Sequence, residues 1–184
     1  DCLKVAAYYS PRNSRFNQLT RFWLAESYFR NDQFDEARKI LVDLYNTSAL
    51  YGAAESYLIP YNIAYCFFNE EDYPNAVKWY DEYLAERSVR FKKDALVRKA
   101  DCFFISKDYS KASAAYELVL ADYYDVNDIY PYYQAAISYG LHKKTDKKVE
   151  LLSRVMDASA ESEFYPEALF ELGRTYAVRE DVDN

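Results

Sequence analysis

The feature that most restricts what this chain can become is a spacing. A small residue recurs at Ala25, Ala64, Ala100, Ala136 and Gly173, at intervals of 39, 36, 36 and 37 residues. Three residues after each of them stands an aromatic: Tyr28, Phe67, Phe103, Tyr139 and Tyr176. Twelve residues after come Ala37, Ala76 and Ala112, and then Lys148, which breaks the column. Sixteen after come Leu41, Tyr80, Tyr116 and Leu152, and nineteen after come Leu44, Tyr83, Val119 and Val155. Offsets of three and four return to one helix face, so each copy carries two apolar stripes. A polar turn such as Asn69-Glu70-Glu71-Asp72 parts the stripes, and Pro74 sits where a helix can begin without losing a needed N–H. Each copy reads as a helical hairpin, which cannot bury both of its faces alone and must stack on the next.

The small-x-x-aromatic first helix, the short turn and a second helix opening on Ala with an aromatic four residues later resemble tetratricopeptide repeats. The resemblance implies an all-α fold: an α-α superhelix, or solenoid, of antiparallel helix hairpins. Three departures stand out. The position before each anchor holds Leu24, Ile63, Lys99, Ala135 and Leu172, so a charge replaces the family's apolar residue in the third copy. Lys148 replaces Ala, and the intervals exceed the roughly 34-residue unit of the family. Residues 165–176, Tyr-Pro-Glu-Ala-Leu-Phe-Glu-Leu-Gly-Arg-Thr-Tyr, look most like the bacterial envelope branch, with the TolA-binding periplasmic protein and the outer-membrane assembly lipoproteins. That likeness implies a periplasmic or envelope-associated setting.

One array is expected over residues 1–184: the end of a preceding repeat at 1–12, repeats at 13–50, 51–88, 89–124 and 125–160, and a first helix at 161–184. Starting in mid-repeat and closing on an unpartnered first helix suggest a piece of a longer repeat protein, whose further repeats would be partners of this segment. Helices are expected from about Arg15 to Arg30, Phe34 or Asp35 to Thr47, Arg90 to Ser106, Tyr109 to Asp122 and Tyr165 to Arg179. Pro60 either starts a helix or kinks one begun near Ala53, Pro131 opens the next, and His142 to Lys148 forms a turn.

In repeats of this kind the first helices line the concave side, and function is expected there. Three residues before the anchors lie Phe22, Tyr61, Val97, Tyr133 and Phe170. One residue after lie Glu26, Tyr65, Asp101, Ile137 and Arg174, and four after lie Phe29, Phe68 and Phe104, followed by Gly140 and Ala177. These positions predict an aromatic-lined groove for a protein or peptide partner, because a row of exposed rings calls for a covering ligand. Asn62 and Gln134 lie beside the rings and are able to hydrogen-bond the backbone of an extended segment. Tyr61→Ala with Tyr133→Ala is expected to spare folding if both rings face that groove.

Composition narrows the partner. With 23 basic against 30 acidic side chains the net charge is −7, which disfavours nucleic acid or an anionic membrane. No run is long and apolar enough for insertion into a bilayer. The 21 tyrosines need a reason beyond core filling, since leucine fills a core without a hydroxyl to satisfy. Chemistry is thinly represented: the single histidine, His142, lies in a Lys-rich turn expected to be mobile, and no Gly-rich phosphate loop is present. Glu70-Glu71-Asp72 and Asp122, Asp125 and Asp128 lack the spacing of a calcium loop and read as solvated, as does Lys143-Lys144 with Lys147-Lys148. Cys66 and Cys102 share one repeat position and, with Cys2, show no metal-ligand spacing. No catalytic residue, metal or cofactor is expected. The reading is a non-enzymatic scaffold assisting assembly of a complex; a ligand-sensing regulatory module and an accessory domain of an enzyme are the alternatives.

Overall fold

The computed structural model describes residues 1–86, 90–123, 125, 128–155 and 163–182, the last three by backbone alone. Among these the regular structure is helical: α1 (Cys2–Tyr9), α2 (Arg15–Phe29), α3 (Phe34–Asn46), a 3-10 turn (Ala54–Leu58), α4 (Ile59–Asn69), α5 (Tyr73–Leu84), α6 (Lys92–Ile105), α7 (Tyr109–Asp122), α8 (Tyr130–Leu141), α9 (Thr145–Val155) and α10 (Tyr165–Val182). The expected boundaries after residues 88, 124 and 160, and part of the linker at 122–128, touch residues outside this description. Pro60 resolves as a helix start, at the first turn of α4, with the 3-10 turn leading into it. The turn expected at 142–148 ends earlier, because Thr145 already begins α9.

The hairpin turns of α2–α3, α4–α5, α6–α7 and α8–α9 are built alike. Seven residues after each anchor, Asp32, Glu71, Lys107 and Lys143 adopt left-handed φ values of 57–66°. The next amide, at Gln33, Asp72, Asp108 or Lys144, donates to the carbonyl of the anchor-plus-three aromatic at 2.8–3.0 Å. That pair of features is the Schellman closure, which satisfies carbonyls the helix end leaves open. Asp72 and Asp108 then start the second helix by accepting from the N–H of Asn75 and Lys111.

The chain forms two compact units, Asp1–Ala95 and Leu96–Asn184. In the first, α1 packs on α2, α2 on α3, α3 on α4 and α4 on α5. Its core holds Phe22, Leu41, Leu44 and Ile63, with Leu50 added from the lead-in to α4 and Ile59 from the first residue of α4. The longest repeat interval, 39 residues, places its extra length in that lead-in. In the second unit α7 packs on α8, α8 on α9 and α9 on α10, around Tyr116, Ile129, Tyr132, Leu152 and Val155. The repeated columns are the reason for both cores: Ala25, Ala64, Ala100 and Ala136 and their partners Ala37, Ala76 and Ala112 are all fully buried. Small buried residues on both helices let the two axes of a hairpin approach closely, and larger side chains fill the remaining layers. Gly173, the last anchor, has an open face instead, with no atom within 4 Å of where a Cβ would stand.

Candidate functional site

The expected inner-face positions fall into three settings. Four residues after the anchor, Phe29, Phe68 and Phe104 each meet an aromatic nine residues after it. The pairs are Phe29–Phe34, Phe68–Tyr73 and Phe104–Tyr109, edge-on with centroids 5.3–5.9 Å apart. They close the turn end of the first three hairpins, the edge-on geometry placing the positive rim of one ring against the face of the other. The second partner was legible in the sequence as a column of Phe34, Tyr73 and Tyr109, which the groove reading passed over. At the fourth hairpin the two positions are Gly140 and Thr145.

Around Tyr61 and Tyr65 the first unit forms a ring cluster. Tyr61 stacks on Phe91 at 5.2 Å and contacts Tyr65 and Tyr83 at 5.1 Å, and Tyr65 meets Phe29 edge-on at 6.1 Å. Both hydroxyls donate to one Asp94 carboxylate oxygen, from Tyr61 at 2.8 Å and from Tyr65 at 2.9 Å. Burial, and then the Asp94 hydrogen bond, push the Tyr61 phenol well above its ordinary range, so it stays a donor. The groove expectation therefore needs adjusting here: Tyr61 is half-buried and tied to its neighbours, and Tyr61→Ala would remove a packed, hydrogen-bonded ring. Glu26, one residue after the first anchor, accepts from the Asn62 amide, and burial raises its pKa.

Three expected groove residues lie inside. Phe22 is 1% exposed and belongs to the core of the first unit, edge-on to Trp23. Val97 is buried as well. Asp101, 4% exposed, accepts from Tyr116 at 2.5 Å, Tyr130 at 2.8 Å and Arg98 at 2.9 Å. The physical reason is that a buried carboxylate must be hydrogen-bonded, and these three donors make it a knot of the second unit rather than a ligand contact. At the other extreme Phe170 is 70% exposed.

Tyr133, Ile137 and Arg174 meet at a cavity of about 910 Å³ in the second unit, between α8, α9 and α10, with Gly140 and Thr145 also in its wall. Lys148, expected as a solvated turn residue, is buried on α9 and donates from Nζ to Glu171 of α10 at 2.8 Å. Arg174 donates to the same carboxylate at 2.9 Å. Burial alone would raise the Glu171 pKa, but these two hydrogen bonds outweigh it and the net shift is downward. Gly140 makes the arrangement possible: a Cβ there would stand 2.8 Å from Lys148 Cδ.

His142 is not loose: its Nε2 lies 3.1 Å from Ser113 Oγ and its ring tilts against Tyr139. Ser113 is buried at 2% exposure and its hydroxyl also meets the Ser110 carbonyl, a setting for a packing contact and not for an attacking nucleophile. Among the described residues no three His, Cys, Asp or Glu side chains gather as metal ligands, and no helix is long and apolar enough to cross a membrane. Cys66 and Cys102 are buried free thiols, each pushed up to about 12, chiefly by burial.

Repeated hairpins with Schellman turns and buried alanine columns define the class of helical repeat proteins, and the comparisons with known proteins add a match over one hairpin and a likeness of fold. Residues 20–46, most of α2 and all of α3, match the tetratricopeptide repeat. MamA from Desulfovibrio magneticus RS-1, residues 41 to its end, shares the fold with a TM-score of 0.71 at 21% identity, over 89% of this chain and 86% of that one. A kinesin-light-chain-type protein of Podosopora anserina with nearly identical TPR-like repeats superposes with a TM-score of 0.67 at 17% identity, over 94% and 90%. A further MamA crystal structure gives 0.68 at 13% identity, over 85% and 84%. At these identities the likeness is one of fold: an all-α, tetratricopeptide-type solenoid. No curated protein matches the chain in sequence.

Proposed function

We propose that this chain is a protein- or peptide-binding scaffold that helps assemble a larger complex. The observation that carries the reading is the cavity in the second unit, to which three of the expected inner-face residues, Tyr133, Ile137 and Arg174, contribute. A concavity walled by an aromatic ring, aliphatic side chains and a few fixed charges suits a polypeptide segment, with apolar area supplying affinity and the charges supplying register. In the first unit, taken by itself, the half-buried rings Phe29, Tyr61, Tyr65 and Phe68 with Glu26 are proposed as a second contact surface on its first helices. In the second unit Phe104 and Phe170 join the cavity residues in the proposed set. Protein binding is what the tetratricopeptide resemblance implies, and the envelope setting, which rests on residues 165–176, is part of the same proposal.

The test is selection of displayed peptides on the folded domain, followed by mapping of each selected sequence with amide chemical shifts. Perturbation concentrated on α2, α4, α6, α8 and α10 is the expected result. Perturbation confined to the exposed faces of α3 and α7 would move recognition to the second helices and dismiss the inner-face reading.

A further inference from the structure

We propose that the cavity of the fourth hairpin receives an acidic side chain, Asp or Glu carried beside an apolar residue, from a bound polypeptide segment. This deepens the scaffold reading and rests on it. The starting point is a coordinated change of three residues. In the first three hairpins the turn end holds a ring pair, at Phe29–Phe34, Phe68–Tyr73 and Phe104–Tyr109, and the second helix carries a buried alanine three residues after the second ring, at Ala37, Ala76 or Ala112. In the fourth the rings are replaced by Gly140 and Thr145 and the alanine by Lys148. Removing two rings leaves an open volume, and about 910 Å³ is found there, lined by Gly140, Thr145 and Lys148 together.

The charge of that volume is opposite to the rest of the molecule. In a chain of net charge −7, the cavity wall carries Lys148, Arg174 and Arg179 against the single acid Glu171. Glu171 is shared between Lys148 and Arg174, and Arg179 pairs with Asp146, which is nearly fully solvated. One carboxylate for two cations leaves the Lys148–Glu171–Arg174 group positive. Arg174 is 60% exposed by side chain and engages Glu171 through Nη2, so Glu171 does not take up the Nε and Nη1 donors, and a guanidinium has donors enough for a second carboxylate. Ile137, Leu141 and Val178 supply the apolar wall for the neighbouring residue of the segment. Glu171 itself fixes the two cations in place, which reduces the ordering that binding would otherwise require.

The experiment is a titration of the ¹⁵N-labelled protein with the capped dipeptide N-acetyl-Leu-Glu-amide, with N-acetyl-Leu-Gln-amide as its uncharged counterpart. Saturable shifts at the Gly140, Arg174 and Thr175 amides are expected with the first, and at least about tenfold weaker binding with the second and in Arg174→Gln. A Gly140→Phe/Thr145→Tyr/Lys148→Ala variant restores the pattern of the other hairpins, so it keeps a dispersed spectrum while the site closes and the shifts vanish. Equal binding of the Gln peptide, shifts that survive the triple change, or no localised shift up to the solubility of the Glu peptide would each overturn the proposal. The outcomes separate from those of the scaffold reading. Displayed peptides that bind along α2 and α4 without acid selectivity at α8–α10 keep the scaffold and remove the pocket. Acid-selective shifts with displayed peptides mapping to α3 and α7 do the reverse.

Discussion

Asp94 and Asp101 both come from α6, and each accepts from two tyrosine hydroxyls, yet their surroundings differ. Asp94 is half-buried and its donors, Tyr61 and Tyr65, lie one turn apart on α4. Asp101 is nearly sealed from water, and its donors come from two other helices, Tyr116 of α7 and Tyr130 of α8, with Arg98 completing the set. In the first unit the motif joins two helices at a surface still open to water. In the second it fixes three at one point where no water replaces a lost partner. The comparison also answers why tyrosine is so frequent: a leucine in place of Tyr116 fills the same layer and leaves Asp101 short of a donor.

The contrast is broken most severely by removing the acids. Asp101→Ala takes away the acceptor shared by the Tyr116 and Tyr130 hydroxyls and Arg98 and is expected to destabilise by about 3–5 kcal/mol, against about 1 kcal/mol for Asp94→Ala. Urea unfolding followed by helical circular dichroism measures both, and equal losses would erase the distinction. A smaller effect sharpens it: Tyr116→Phe keeps the ring and deletes one donor to a buried carboxylate, at about 1.5–3 kcal/mol, whereas Tyr65→Phe is expected below about 1 kcal/mol. The smallest effect concerns pH and a second pair of acids. Glu171 has a folded pKa below its ordinary 4.5, so its contribution is complete above that value and is lost as the pH falls through the lowered one. Glu26 has a raised pKa, chiefly through burial, so protonation relieves the cost of burying its charge by more than it weakens the Asn62 and Arg30 interactions, and net stability there rises as the pH falls through the raised value. Hydrogen exchange between about pH 6 and pH 3.5 should therefore show protection decreasing at α9–α10 and holding or rising at α2–α4, by under about 1 kcal/mol each. Loss of protection of the same size in both places would contradict the assignment.

The hairpins were readable because their columns obey a helical period: residues 12, 16 and 19 after each anchor are buried from Ala37 to Val155, with Lys148 as the odd member that is buried all the same. What escaped the sequence was direction. Offsets from an anchor assign a residue to a helix face, but they do not say whether a neighbouring helix covers that face, so Phe22 and Asp101 were grouped with Ile137 although only the last reaches a cavity wall. Gly140, Thr145 and Lys148 escaped for another reason. Each is an exception within its own column, and only contact in space shows that the three exceptions belong together.

The four hairpin turns place Asp32, Glu71, Lys107 and Lys143 in a left-handed conformation without using a glycine. Because the closure is written in main-chain hydrogen bonds, the identity of the turn residue is free to drift while the turn keeps the same backbone geometry. Copying and shuffling of whole hairpins would preserve their geometry even after their surfaces had diverged. The molecule thus has a joint that can be inherited unchanged, and on it a single unit, the fourth, was able to trade its rings for a cavity without disturbing its own fold.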